Sequence, residues 1–223
     1  MPRRRRLIPV DSAMHIMCRG NNKQNVLFRD RDKEHYHSLL DKYRNENRIT
    51  IFHYCLMNNH VHLIVWLNHQ SHLSRFMKQV NLSYFDYCKR NYNYCGHLWQ
   101  GRFKSNIVDT DSYLLQCGKY IELNPVRVNM VNFPEEYMFS SYNYYANGNH
   151  DSILTPNPIF MEFSTTEASR RQQYIDFVVD SKLINTEKLT THLFIGCKKF
   201  VKSMEETYKV KNLKAKRGRP KNK

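Results

Sequence analysis

An α+β fold is predicted by three features of the 223-residue sequence. Short segments that alternate apolar and polar residues recur between longer ones whose apolar residues fall three and four apart. Two of the strand-like segments are separated only by Asn58-Asn59, which marks a hairpin. Hydrophobic residues make up 41% of the chain, enough to bury a core for one domain plus an appendage.

The elements follow in order. SAMHIMCRG, residues 12–20, reads as a strand ending at Gly20. RDRDKEHYHSLLDKYRNEN follows as a helix, with Tyr36, Leu39, Leu40 and Tyr43 at helical spacing. RITIFHYCLM is a strand, Asn58-Asn59 a turn because asparagine tolerates positive φ, and HVHLIVWL the returning strand. SHLSRFMKQVNLSYFDYCKRNY predicts a second helix, capped by Ser71. Its Leu73, Phe76, Met77, Val80, Tyr84, Tyr87 and Cys88 share one face. HLWQGRFKSNIV is a fourth strand. The order β-α-β-β-α-β is the ferredoxin-like arrangement, an antiparallel sheet with two helices on one face and the other face open.

A further helix is expected at about 110–123, begun by Asp109-Thr110-Asp111 and ended by Pro125. Residues 132–165 read as irregular, with Pro134, Pro156 and Pro158. Two more helices are expected, at about 166–181 and 186–208. Leu189, Leu193, Cys197, Phe200, Met204 and Tyr208 line the second. The chain thus divides into a domain over 1–145, a C-terminal helical extension over 146–208 and a basic, disordered tail over 209–223.

The formal net charge is +15, concentrated at the two ends. Arg3 to Arg6 give four positive charges with no acid in residues 1–10, and KVKNLKAKRGRPKNK at the end gives eight with no acid. The body between is nearly neutral. Clustered charge of this kind suits a polyanion, with nucleic acid the default partner, or else serves only as a solubilising tail. Within the tail, KRGRPK resembles the core of an AT-hook, whose Arg217 and Arg219 would enter a narrow A·T minor groove. General phosphate attraction is the plainer reading. The six cysteines form no CxxC pair, and Cys88, Cys95 and His97 fit no familiar zinc spacing, so reduced thiols are expected. No apolar run has signal-peptide or membrane-spanning length, which predicts a cytoplasmic protein without a membrane partner.

HVHLIVWL carries the chemistry. Alternate strand residues share a face. Val61, Leu63, Val65 and Leu67 belong under the two helices, which leaves His60, His62, Ile64 and Trp66 on the open face. Two neutral imidazoles side by side can bind one divalent metal, whereas a lone histidine in an apolar strand is more often a satisfied core residue. His15, His35, His37 and His53 lack such pairing and receive no role. A third ligand and a nucleophile should come from whatever covers the open face. The helix at 110–123 is the candidate: Tyr120 and Asn124 lie four residues apart on one face, with Tyr113 one heptad before Tyr120.

CLMNNHVHLIV is similar to the His-hydrophobe-His motif of the HUH nucleases. LWQGRFKSNIV, YIELNPVRV and EYMFSSY resemble segments of the single-tyrosine transposases, specifically the REP-associated tyrosine transposases, and CRGNNKQNVLF fits as well. The resemblance spans residues 12–145. It implies that His60 and His62 bind Mg²⁺ or Mn²⁺, that Tyr120 is the nucleophile and that Asn124 completes the metal site, which makes the added helix a catalytic one. It further implies nicking and rejoining of single-stranded DNA beside hairpins of repetitive extragenic palindromes, through a 5′-phosphotyrosine. A tyrosine hydroxyl can attack and later leave, which conserves the phosphodiester energy. Arg19, Arg102, Lys104 and Arg127 lie in the motif segments and are candidates for DNA contacts. A domesticated, non-catalytic hairpin-binding protein is the alternative, but it has no chemical need for His60, His62, Tyr120 and Asn124 together. An RNA-binding sheet would want exposed aromatics, for which Trp66 and Tyr54 are candidates. The sequence leaves monomer and homodimer undecided.

Overall fold

Strand β1 (Ser12–Arg19) is buried on both faces, and its alternation serves two cores. In the computed structural model, which describes residues 6–110, 112–180 and 191–213, Met14, Ile16 and Cys18 join one core and Ala13 the other. The strand stops at Gly20 for a steric reason. A Cβ there would stand 2.3 Å from the Gln24 carbonyl oxygen and 2.7 Å from a Val26 methyl.

The expected β-α-β-β-α-β order is present: β1, α1 (Asp30–Glu46), β2 (Thr50–Met57), β3 (His60–Leu67), α2 (Leu73–Tyr92) and β4 (Lys104–Val108). A short strand, β5 (Phe194–Ile195), completes a sheet of order β2-β3-β1-β4-β5. Among the first four strands each hydrogen-bonded pair is antiparallel, consistent with the ferredoxin-like arrangement, and β5 lies parallel to β4. Helices α1 and α2 cover one face. Their buried Tyr36, Leu39, Leu40, Phe76, Met77, Val80 and Tyr84 pack on Val61, Leu63, Val65 and Leu67, the set assigned to that face by alternation. Burying each such side chain contributes about 1.5–3 kcal/mol.

The second face is not open. Helix α3 (Ser112–Glu122) lies across it, with Leu114, Cys117 and Ile121 packed on Phe52, Cys55 and Ile64. Gly118 lets it come close, since a Cβ there would meet the His53 ring at 2.6 Å. Trp66 is half-buried against this helix and Tyr54 is buried in the opposite core, so neither offers the exposed sheet aromatics that RNA stacking would use. The segment EYMFSSY protects the outer edge of β2, which would otherwise expose unpaired backbone. Leu56 N donates to Phe139 O (2.9 Å), Ser141 N to Tyr54 O (3.0 Å) and Tyr137 Oη to Leu56 O (2.6 Å).

Several local expectations are corrected. The fourth strand starts only at Lys104, because Gly96 and Gly101 adopt φ of 89° and 86° and break extension before it. Neither Asn58 nor Asn59 takes positive φ. Their carbonyls instead accept from Val26, Leu27 and Gly20. Ser71 does not cap α2: its hydroxyl accepts from Asn68 N at 3.0 Å and donates to the Arg48 carbonyl at 2.6 Å, and the N-cap residue is His72. α3 ends at Glu122, ahead of Pro125 as expected, but the proline sits in the first turn of a further short helix, α4 (Asn124–Arg127). Residues 132–165 contain the short helices α5 (Tyr142–Asn147) and α6 (Pro158–Met161). The expected helix at 166–181 is α7 (Glu167–Val179).

Of the last expected helix, residues 186–190, Leu189 among them, lie outside the described residues; Phe194 and Ile195 are extended and pair with β4, and Cys197 caps α8 (Lys198–Tyr208). Beyond α8, Asn212 Oδ1 accepts from Phe194 N at 2.6 Å and its Nδ2 donates to Phe194 O at 3.0 Å. The chain is thus fixed past residue 208, where the sequence places the tail. Arg217 and Arg219 lie outside the described residues. Cys18, Cys55, Cys88 and Cys117 are buried thiols, while Cys95 and Cys197 are exposed. No helix among the described residues is long and apolar enough to cross a membrane.

Candidate active site

His60 and His62 lie next to one another on the α3 side of β3, with ring centroids 4.8 Å apart and edge to face. Both are drawn toward the neutral form. Burial, with Arg19 nearby, pulls His60 down to about 4. Burial first, then His60, His15, Arg19 and Arg127, hold His62 well below the ordinary imidazole range. Neutral imidazoles are the form that ligates metals.

Each Nδ1 is engaged within the protein. His60 Nδ1 is 2.5 Å from Asn59 Oδ1, and His62 Nδ1 is 2.8 Å from His15 Nε2. The Nε2 atoms remain as the available donors. Tyr120 presents its ring to His62 edge-on, with centroids 6.1 Å apart, and the Arg127 guanidinium lies 4.8 Å from the centre of that ring. Asn124, 7% exposed, carries a buried Nδ2 without a hydrogen-bond partner. Since an amide can be turned end for end, this side chain retains an unspent polar atom. The set His60, His62 and Asn124 therefore suits a divalent cation by its chemistry. No group of three or more His, Cys, Asp or Glu able to hold a metal exists among the described residues. A third protein ligand would thus have to be another kind of group, for which the Asn124 amide is the candidate.

The basic candidates separate into two regions. Arg19 pairs across the sheet with His60, and its Nε is buried without a partner. Arg127 lies over the Tyr120 ring, and both arginines add to burial in lowering the His62 pKa. Lys104 lies on the same sheet face, in register with Met17, which in turn is in register with His62. Arg102 is elsewhere. With Arg6, Lys78 and Trp99 it lines a groove of about 620 Å³ against α2. Tyr113 lines a different cavity, of about 400 Å³, with His192, Phe194 and Lys198, so of the two tyrosines on this stripe only Tyr120 stands beside the histidine pair.

Sequence reasoning missed three supporting residues. His15 stacks on His62 with centroids 5.0 Å apart, Asn106 stands 3.4 Å from the other nitrogen of His15, and Asn59 holds His60. A signal for His15 existed: alternation places it with Met17 and Arg19 on the face that carries the histidine pair. The partnership with Asn106, 91 residues away, left no mark in the local pattern.

The family model described as "Transposase IS200 like" matches residues 10–124, just over half of the chain. The chain belongs to the IS200-like transposase family. The matched segment takes in β1, the histidine pair, α3 and Asn124. A Haemophilus influenzae protein, whose name places it provisionally among the REP-associated tyrosine transposases, is 24% identical to this transposase over 135 residues, 52% of this chain and 76% of the relative. A solved REP-associated tyrosine transposase bound to a REP hairpin superimposes with a TM-score of 0.58 at 17% identity. The match covers 70% of this chain and 92% of that one, and establishes likeness of fold. The resemblance carried by the sequence motifs is thus met by a family, a relative and a fold.

Proposed function

We propose that this transposase is a metal-dependent, single-tyrosine endonuclease and strand transferase, acting on single-stranded DNA beside REP hairpins. The observation that carries the reading is Tyr120 standing 6.1 Å, ring to ring, from His62, with Arg127 over its face. A hairpin substrate is supported by the DNA bound to the similar fold and by basic segments at both ends of this chain.

In the proposed reaction the Tyr120 hydroxyl attacks the scissile phosphorus and loses its proton. The bond to the 3′ oxygen breaks, and that oxygen takes a proton to leave as a 3′-OH. Rejoining reverses the step: a 3′-OH attacks the 5′-phosphotyrosine, and the Tyr120 oxygen departs and is reprotonated. Arg127 and Arg19 supply positive charge where the phosphate gathers negative charge. Mg²⁺ or Mn²⁺ held by His60, His62 and Asn124 would polarise the phosphate and offset charge in the transition state. α3 keeps Tyr120 at fixed reach of the histidines, and Lys104 on the same face extends the basic surface along the sheet. The 209–223 tail adds attraction for DNA of any sequence.

Labelled hairpin DNA with a single-stranded flank tests the proposal on a denaturing gel. A covalent protein–DNA band should form with Mn²⁺, disappear in chelator and be absent from His60→Ala and His62→Ala. Full cleavage in chelator would reject the metal-dependent reading.

A further inference from the structure

His15 has a part in the site that neither the motifs nor the family match assigns. The carbonyl of His192 can only accept a hydrogen bond, so the Asn106 amide nitrogen, 2.5 Å away, donates to it. That fixes the amide and turns its oxygen toward His15 Nδ1 at 3.4 Å. An oxygen of this kind only accepts, so His15 Nδ1 carries the hydrogen. A neutral imidazole has one donor and one acceptor, which makes His15 Nε2 the acceptor. Its partner at 2.8 Å, His62 Nδ1, is then the donor. The lone pair of His62 is left on Nε2. His15, His62 and Asn106 are each no more than 3% exposed, so bulk water has little access to scramble the order.

His60 reaches the same state by a separate route. Asn59 Nδ2 donates to the Lys23 carbonyl at 3.3 Å, which turns Asn59 Oδ1 toward His60 Nδ1. Both rings are thus set from backbone carbonyls, one through Asn59 alone and the other through Asn106 and His15. Stacking of His15 on His62, with ring planes 12° apart, also restrains the ring's rotation.

We propose that His15 is a positioning residue that, with Asn106 and the His192 carbonyl, holds His62 in its Nδ1–H tautomer and presents Nε2 as a donor to a divalent cation. This rests on the metal reading given above. Such outer partners of ligating histidines typically govern metal affinity by about 10–100-fold.

Imidazole ¹H–¹⁵N correlations of the full-length, metal-free chain should show His62 protonated on Nδ1 and bare on Nε2. His15→Phe keeps a flat ring but no acceptor, so His62 should shift toward the Nε2–H form. Mn²⁺ affinity, read by electron paramagnetic resonance, should fall about 10–100-fold. His15→Gln retains an oxygen acceptor and should restore both the tautomer and most of the affinity, which a merely space-filling role would not require. Thermal unfolding of both variants checks that they are folded. An Nε2–H His62 in the unsubstituted chain overturns the proposal, as does undiminished Mn²⁺ affinity in His15→Phe. Failure of the metal reading looks different: the parent chain then binds no Mn²⁺ although His62 keeps its Nδ1–H form, which removes the cation the proposal needs.

Discussion

Under α3, His53 and His62 sit in polar networks that begin alike and finish differently. His53 Nδ1 meets Glu122 Oε1 at 2.9 Å and its Nε2 accepts from Asn157 Nδ2 at 3.0 Å. Ser141 and Tyr174 each donate to Glu122 at 2.5 Å. His53, Glu122, Ser141, Asn157 and Tyr174 are all 0% exposed, and both ring nitrogens of His53 are consumed within the protein. His62 has one nitrogen consumed, by His15, and the other left as a donor. The closed network fastens; the incomplete one borders the candidate site. The two networks are linked along the chain, since Glu122 lies two residues from Tyr120. Through Ser141 and Tyr174 directly, and through His53 to Asn157, it ties that end of α3 to the EYMFSSY segment, α7 and α6. Lys119 adds a second tie, donating to the Phe177 carbonyl at 2.6 Å and to that of Asp180.

The contrast can be broken most severely at Glu122. Glu122→Leu removes the acceptor shared by His53, Ser141 and Tyr174 and leaves the buried His53 and Tyr174 donors unpaired, while Ser141 keeps the Tyr54 carbonyl as an acceptor. Chemical denaturation should register a loss of about 3–5 kcal/mol, the cost of removing one partner from a buried polar network. An equivalent loss is not expected from His62→Ala, which removes only one side of an incomplete network. A smaller break is available at Gly118. A methyl group there would meet His53, which is pinned on both nitrogens and cannot yield. Gly118→Ala should therefore destabilise the fold by about 1–3 kcal/mol. It should also slow covalent adduct formation, since α3 must lift and carry Tyr120 with it.

The incomplete network makes the weakest but most specific prediction, in pH. His60 is held at about 4 in the fold, against about 6.5 in the unfolded chain. Between those values the unfolded chain binds the proton that the folded chain refuses. Stability is therefore retained above about pH 6.5 and lost progressively as pH falls toward 4. With allowance for the partial exposure of His60, its share should be on the order of 1–2 kcal/mol. Denaturation midpoints measured at pH 7 and pH 4.5 should accordingly converge in His60→Ala relative to the parent.

What could be read from the sequence was whatever local pattern encodes. Alternation in HVHLIVWL separated its two faces correctly, and three-and-four spacing found α1 and α2, because one residue's neighbours decide which side meets the core. The closed network was invisible, since His53 and Glu122 are 69 residues apart and Glu122 and Tyr174 are 52 apart. A glutamate next to a functional tyrosine gives no local sign that it is buried. β5 was missed because two residues, Phe194 and Ile195, are too few to show a period and also fit an apolar helical stripe. The Ser71 cap failed because its hydroxyl accepts from the Asn68 N–H rather than from an N–H of the helix end.

The central claim is that Tyr120, held beside His60 and His62 by α3, is the attacking group. Covalent capture of hairpin DNA by Tyr120→Phe and Tyr113→Phe tests it most directly, with thermal unfolding and DNA binding measured alongside. Tyr120→Phe should yield no protein–DNA adduct while folding and binding remain close to those of the parent, and Tyr113→Phe should still form it. An adduct that persists in Tyr120→Phe and vanishes in Tyr113→Phe would contradict the account, moving the chemistry to the cavity that Tyr113 shares with His192 and Lys198.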